Sequence, residues 1–271
     1  MNPKCPSEAD RDELLRLPVI LRRLPGHSSR QAGRTTSWLW RPAWDDGPGL
    51  MVRQYAHGGA LGRLFGAAFL GKARMLKEFW ISDYAGSRGV PTSVPVALRV
   101  ERIAGPFIRA HFVSALIPEA QDLLRFLESA PSDAEPVPGR RRLAAAIADA
   151  IARMHDAGIV HADLNLKNVL VRHTSEEPEA FIIDFDKARW MAAVPLSKRM
   201  ANLVRLDRSI VKWAASRRTV DLTDRLRVLH SYLRRYPQWR DQWARIARKY
   251  GGRHLRHSFS REPDSDRAQE E

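Results

Sequence analysis

Cysteine is nearly missing from this chain: Cys5 is the only one in 271 residues. No internal disulfide can form, and no thiolate metal cluster is available. Long apolar runs are missing as well. The longest, LFGAAFLG, is far shorter than the ~20 residues a membrane-spanning helix needs. The opening MNPKCPSEADRDELL has charges and two prolines where a secretory leader has an apolar core and a small-residue cleavage site, so the cytosol is the expected location. No similarity recurs at a period of roughly 20 to 50 residues, which excludes solenoids and propellers.

Acidic residues are scarce relative to basic ones, 31 against 45, for a net charge of +14. Such an excess suggests an anionic partner: nucleic acid, a phosphorylated substrate or acidic lipid. Residues 198–256 hold 17 Lys and Arg against four acids, Asp207, Asp221, Asp224 and Asp241, close to the whole imbalance. Solvated helix faces explain any single basic cluster, but this concentration favours a basic surface. No zinc-finger or RNA-recognition signature accompanies the charge, so nucleic acid is not an expected partner.

What is present is globular. The 44% hydrophobic content and eight tryptophans exclude wholesale disorder. SWLWR, GLMVRQYA, PVALRVER and IRAHFVSALI read as short strands, rich in branched and aromatic residues. Among them ARMLKEFWISDY reads as a helix, with Met75 and Leu76 recurring with Phe79 and Trp80 at helical spacing. The loop SAPSDAEPVPG leads into RRRLAAAIADAIARMHDAGI, whose Leu143, Ile147, Ile151 and Met154 form one stripe ended by Gly158. Two more helices follow, through LSKRMANLVRLDRSIVKWAA and LTDRLRVLHSYLRR, before Pro237 divides the last region. The expected architecture is α+β: a flexible N-terminus at 1–10, a small sheet with one main helix over 11–118, a mainly helical part over 119–250, and a loose tail at 251–271.

Between the long helix and the later ones lie HADLNLKNVLV and FIIDFDKAR. The first fits H-x-D-x-x-x-x-N, and Asp184 follows Asp163 by 21 residues at the end of an apolar strand. Each alone has an ordinary explanation as a turn. Together, in this order and with these flanks, they suit phosphoryl transfer from ATP, where the protein positions groups and neutralises charge. Asp163 is then the base that takes the acceptor's proton. Asn168 and Asp184 are oxygen ligands suited to hard Mg²⁺.

At this point the chain resembles the protein-kinase-like superfamily, and the resemblance implies a bilobal fold with ATP between the lobes. It also implies His161 as a packing residue and an upstream set: a glycine hairpin over the phosphates, a basic strand residue and a helical glutamate. PGHSSRQAGRTTSWLW offers Gly26 and Gly33, GLMVRQYA puts Arg53 where Lys is usual, and ARMLKEFW offers Glu78 as its partner. Arg is always charged and forks onto phosphate or carboxylate, so it replaces Lys electrostatically but not isosterically.

Ala162 stands in place of the catalytic-loop arginine that pairs with an activation-loop phosphate, and no A-P-E segment follows Asp184. Both departures direct the reading to a small or glycan acceptor. VRQY-x-x-GG with Gly58 and Gly59, KEFW, GVPTSVPVAL, IRAHFVSALIPEA, HADLNLKNVLV and IIDFDKAR are similar to the 3-deoxy-D-manno-octulosonic acid (Kdo) kinases of the lipopolysaccharide kinase family, over about residues 25–230. Arg on that strand is usual for the family, whereas Ala56 and His57 stand where basic residues are expected. The resemblance implies ATP-dependent phosphorylation of a Kdo hydroxyl on a lipid A precursor. It also implies peripheral attachment to the cytoplasmic face of the inner membrane of Gram-negative bacteria, with the 198–256 region drawn to anionic lipid. A heptose or aminoglycoside type of kinase and a catalytically silent kinase fold are the alternatives.

Overall fold

The computed structural model describes residues 37–42, 47, 49–57, 66–129, 137–173, 177–214 and 220–242. Cys5, Gly26, Gly33, Gly58, Gly59 and both proposed tails lie outside the described residues.

The N-terminal part is a five-stranded antiparallel sheet carrying one helix. Its strands are β1 (Ser37–Trp40), β2 (Leu50–Gln54), β3 (Phe69–Leu70), β4 (Pro95–Ala104) and β5 (Phe107–Ala115). Strand β5 is central: β4 pairs with one edge, while β2 and then β3 pair along the other. Alternation sorts β2 into two faces. Leu50 and Val52 join Trp40 and Val113 in one cluster. Tyr55, just past the strand, packs with Phe69, Met75, Ala110 and Phe112 on the other, and Arg53 points the same way, 5.6 Å from the Phe112 ring.

Helix α1 (Ala73–Ser87) lies against this second face and buries Met75, Glu78, Ile81, Ser82 and Ala85. The periodicity of ARMLKEFWISDY therefore signals the helix, but half of the apolar stripe it suggests faces outward. Leu76 and Trp80 are 47% and 51% exposed.

The C-terminal part is mainly helical. Strand β6 (Ala120–Asp122) and helix α2 (Leu123–Ser129) precede α3 (Val137–Asp156). Neither was evident in the sequence, although Asp122 sits where a capping residue should and its Oδ1 accepts from the Arg125 N–H at 2.9 Å. Helix α3 begins inside the stretch expected to be loop and buries Ile147, Ile151 and Met154. A β8–β9 hairpin (Val169–His173 and Pro178–Ile182) pairs Val169 with Ile182. Helices α4 (Leu196–Ala214) and α5 (Leu222–Arg234) complete the core, and Asp221 and Asp224 form a capping box at the start of α5. Together these make an α+β bilobal, kinase-like architecture.

Beneath the hairpin a two-stranded ladder pairs β7 (Ile159–Val160) with β10 (Arg189–Trp190). It depends on Gly158, which has φ +80° and would place an added Cβ 2.2 Å from the Met191 carbonyl oxygen. Gly158→Ala must displace backbone and hold a left-handed conformation, so a loss of at least about 2 kcal/mol is expected. Chemical denaturation of parent and variant measures it. An unchanged midpoint would show that the ladder yields freely.

Candidate active site

Residues 161–168 form a loop that enters from β7 and leaves into β8. His161 is fully buried. Its Nδ1 accepts from the Asp163 N–H at 3.1 Å, so its proton sits on Nε2, which donates to the Ile183 carbonyl at 3.1 Å. Burial holds this imidazole below its ordinary pKa, in keeping with the neutral tautomer that these bonds require. The histidine thus ties the Asp163 segment to the Asp184 segment and packs beside the buried Phe185 ring.

Asn165 caps a single 3₁₀ turn: its side chain accepts from the Lys167 N–H and donates to the Asp163 carbonyl, each at 2.9 Å. The Asn168 Nδ2 donates to the same carbonyl at 2.8 Å. With its amide nitrogen so committed, Asn168 has Oδ1 as its remaining acceptor. The Asp163 carboxylate itself is about half exposed, 48%, and open to an incoming acceptor.

Asp184 follows β9 with φ +67°, a left-handed conformation that Asp tolerates better than most residues. The Ile183 N–H bonds to the Asn168 carbonyl at 3.0 Å, so the two segments run together. One Asp184 oxygen, Oδ1, is buried without a hydrogen-bond partner and lies 3.7 Å from the Arg53 guanidinium. An orphaned carboxylate oxygen, on a segment whose backbone bonds that of Asn168, fits Mg²⁺, which is usually bound by one or two carboxylates plus phosphates and water.

Arg53 reaches across to Glu78 as expected, in a close ion pair. Tyr55, which sequence reasoning quoted but gave no role, donates its hydroxyl to the other Glu78 oxygen at 2.5 Å. The strand's two-residue alternation was the available signal, since it puts Arg53 and Tyr55 on one face. Burial acts against the Arg53 charge, but Glu78 and then Asp184 outweigh it and its pKa is raised. Burial pushes the Glu78 carboxyl up to about 7, opposed by Arg53 and by the Tyr55 hydroxyl bond.

A pH dependence follows. The carboxylate form of Glu78 holds Arg53, and it is lost as pH falls through about 7. The value of kcat/KM for ATP should therefore rise with pH across that range, with a single limb. Tyr55→Phe removes a bond that favours the carboxylate, so the limb should move to higher pH. A pH–rate profile that is flat, or identical in the variant, would dissociate this triad from nucleotide use.

Three further residues escaped the sequence reading. Lys187 places its ammonium 3.7 Å from the Asp163 carboxylate. Arg74, in the first turn of α1, grips Asp186 through Nε at 2.6 Å and a second, closer contact, bracing the Asp184 segment from the opposite lobe. Asn202 of α4 accepts the His161 N–H at 3.0 Å and donates to the His161 carbonyl at 2.8 Å. Its Oδ1 also takes the His155 Nε2 proton at 3.0 Å. His155 Nδ1 in turn accepts from Tyr232 at 2.7 Å, and Arg199 joins Tyr232, Tyr236 and Asp156 behind it. Burial lowers the His155 pKa to about 4, so this chain of bonds is built on neutral imidazole.

Gly33 lies outside the described residues. His57, one of the two departures from the family pattern, stacks on Phe69 with ring centroids 4.1 Å apart, and its Nε2 bonds the Ala68 carbonyl. The basic 198–256 region is partly spent internally. Arg199, Arg225, Arg227 and Arg235 are paired with Asp156, Asp207, Asp224 and Asp149.

A small sheet with a glutamate-bearing helix above, and an Asp/Asn loop facing a strand-end aspartate below, define the class: an ATP-dependent kinase of protein-kinase-like fold. Residues 33–250 match the lipopolysaccharide kinase (Kdo/WaaP) family, and the chain belongs to that family. A 3-deoxy-D-manno-octulosonic acid kinase of Vibrio cholerae is 32% identical over 189 residues, covering 68% of this chain and 74% of the relative. One from Actinobacillus succinogenes is 29% identical, covering 73% and 80%. Among solved structures, WaaP in complex with acyl carrier protein shares the fold, with a TM-score of 0.59 at 22% identity, over 93% of this chain and 99% of that one.

Proposed function

We propose that this kinase transfers the γ-phosphate of ATP to a hydroxyl of the Kdo sugar on a lipid A precursor, during assembly of the lipopolysaccharide core. The observation that carries the proposal is the convergence at one cleft of Asp163, Asn168, Asp184 and the Arg53–Glu78 pair, in a chain whose curated relatives are named as Kdo kinases. The nucleotide lies between a lobe of residues 11–118 and one of 119–250, with Arg53 and Glu78 facing it from the first; Gly33, outside the described residues, is the glycine assigned to ATP on sequence alone.

Asn168 and Asp184 are the residues that would hold Mg²⁺, which supplies charge neutralisation on the phosphates when bound. Asp163 orients the acceptor hydroxyl and takes its proton, with solvent access to pass that proton on. Lys187 supplies a cation beside the site where charge develops on the transferred group. Arg53 is held by Glu78 and Tyr55 with one guanidinium edge toward Asp184, which positions it for a phosphate oxygen.

The test is phosphate transfer from ATP to a panel of acceptors: a Kdo-bearing lipid A precursor, a heptose-bearing one and an aminoglycoside. Turnover confined to the first supports the proposal. Preferential transfer to either other acceptor would replace the Kdo assignment while leaving the kinase intact.

A further inference from the structure

The outer face of α1 carries an apolar aromatic stripe that the fold uses only at one end, where Tyr84 packs against the core. Leu76, Trp80 and Tyr84 recur every four residues, and Leu76 and Trp80 are about half exposed. Trp80 and Tyr84 stack at 5.3 Å, nearly parallel, and Tyr84 meets Trp190 of β10 edge-on at 6.4 Å. Trp190 is itself 48% exposed, and Leu70, just before the helix, is 72% exposed. At 100° per residue, Lys77 and Arg88 flank the stripe on one side and Lys72 and Asp83 on the other. Arg189 adjoins Trp190. Among the described residues this rim has four cations, Lys72, Lys77, Arg88 and Arg189, to one acid, Asp83.

From this pairing of apolar rings and cations we infer that the α1–β10 face docks on an anionic bilayer surface. Tryptophan and tyrosine at the headgroup level, backed by leucine and ringed by Lys and Arg, are the composition of an interfacial anchor. A neutral protein partner would leave the cationic rim unmatched, whereas anionic headgroups satisfy it. The other candidate, the basic α4–α5 region, has much of its arginine charge tied up in the internal pairs described above and, among the described residues, offers no comparable aromatic face.

The position suits the reaction. The tryptophan of β10 lies three residues beyond Lys187, which pairs with Asp163, and Arg74 of α1 grips Asp186. A bilayer against this face would leave the lipid of the acceptor in the membrane while its sugar reaches the cleft. This deepens the Kdo reading and rests on it for the acceptor, although the docking itself does not.

The experiment is co-sedimentation of the full chain with phosphatidylcholine vesicles, with and without phosphatidylglycerol. The chain should pellet with the anionic vesicles only, and added salt should weaken it. Leu76→Ser/Trp80→Ser should lose at least about tenfold in partitioning, as should Lys77→Glu/Arg88→Glu, while Lys198→Gln/Lys212→Gln keeps parental binding. Both stripe variants should keep the parental thermal midpoint and phosphorylate a delipidated, water-soluble Kdo acceptor at the parental rate. Parental vesicle binding by the stripe variants, or none by the parent, overturns the inference. So does capture of a purified small acidic protein by the stripe in place of vesicles. Failure of the parent to phosphorylate the soluble Kdo acceptor would instead count against the acceptor assignment and leave the vesicle result standing.

Discussion

Asp163→Ala is expected to lower kcat about 10²- to 10⁴-fold, with KM for ATP little changed. The split follows from the geometry. The Asp163 side chain is half exposed and its only charged neighbour within 4 Å among the described residues is Lys187, so its truncation leaves no buried group stranded. Apart from a long 3.5 Å contact from Asn165 to the carboxylate, the bonds that shape the loop run to its backbone: Asn165 and Asn168 donate to the Asp163 carbonyl, and the Asp163 N–H donates to His161. All three survive the substitution. The Arg53–Glu78 pair proposed to position the nucleotide is therefore untouched while the proposed proton acceptor is lost, and an interaction made only in the transition state lowers kcat and kcat/KM together. Residual turnover from positioning alone should remain. Single-turnover phosphate transfer measures it, and parental kcat in the variant would remove Asp163 from the role of base.

Asp184→Asn should act as strongly by another route, with a loss of activity of about 10³-fold or more. Asn tolerates the left-handed backbone at φ +67° as well as Asp does, so the fold should hold. The apo protein is expected to be no less stable than the parent, because an unsatisfied buried carboxylate oxygen gives way to a neutral group while Arg53 keeps Glu78. What should disappear is the Mg²⁺-dependent part of the thermal stabilisation by a non-hydrolysable ATP analogue, since a ligand stabilises by mass action. Persistence of that Mg²⁺ dependence would show that the metal is held elsewhere.

Asp163, Asn168 and Asp184 were legible because they are compact in sequence. A loop and a hairpin of 24 residues, His161 to Asp184, carry all three, and short apolar frames on either side mark their strands. Arg53 and Glu78 were legible as a pair because each sits in a recognisable strand or helix. Asn202 was not, because it clamps a backbone 41 residues upstream through ordinary amide bonds that leave no spacing to read. Nor was Arg74, whose partner Asp186 is 112 residues away. The same limit explains α1: periodicity says that a helix is amphipathic, but here one position of the apolar stripe is exchanged for Glu78, and only the sheet above decides which face is buried.

The chain of bonds from His161 through Asn202 and His155 to Tyr232 and Arg199 has a consequence for biosynthesis. Every residue proposed for catalysis has been synthesised by position 187, yet the loop bearing Asp163 is tied to residues as late as 232 and 236. A nascent chain that ends in α4 carries all of these residues, with Asn202 and Arg199 in place but without the Tyr232 and Tyr236 hydroxyls that hold His155 and Arg199 from behind. Such a chain is expected to be inert until α5 and Tyr236 have docked.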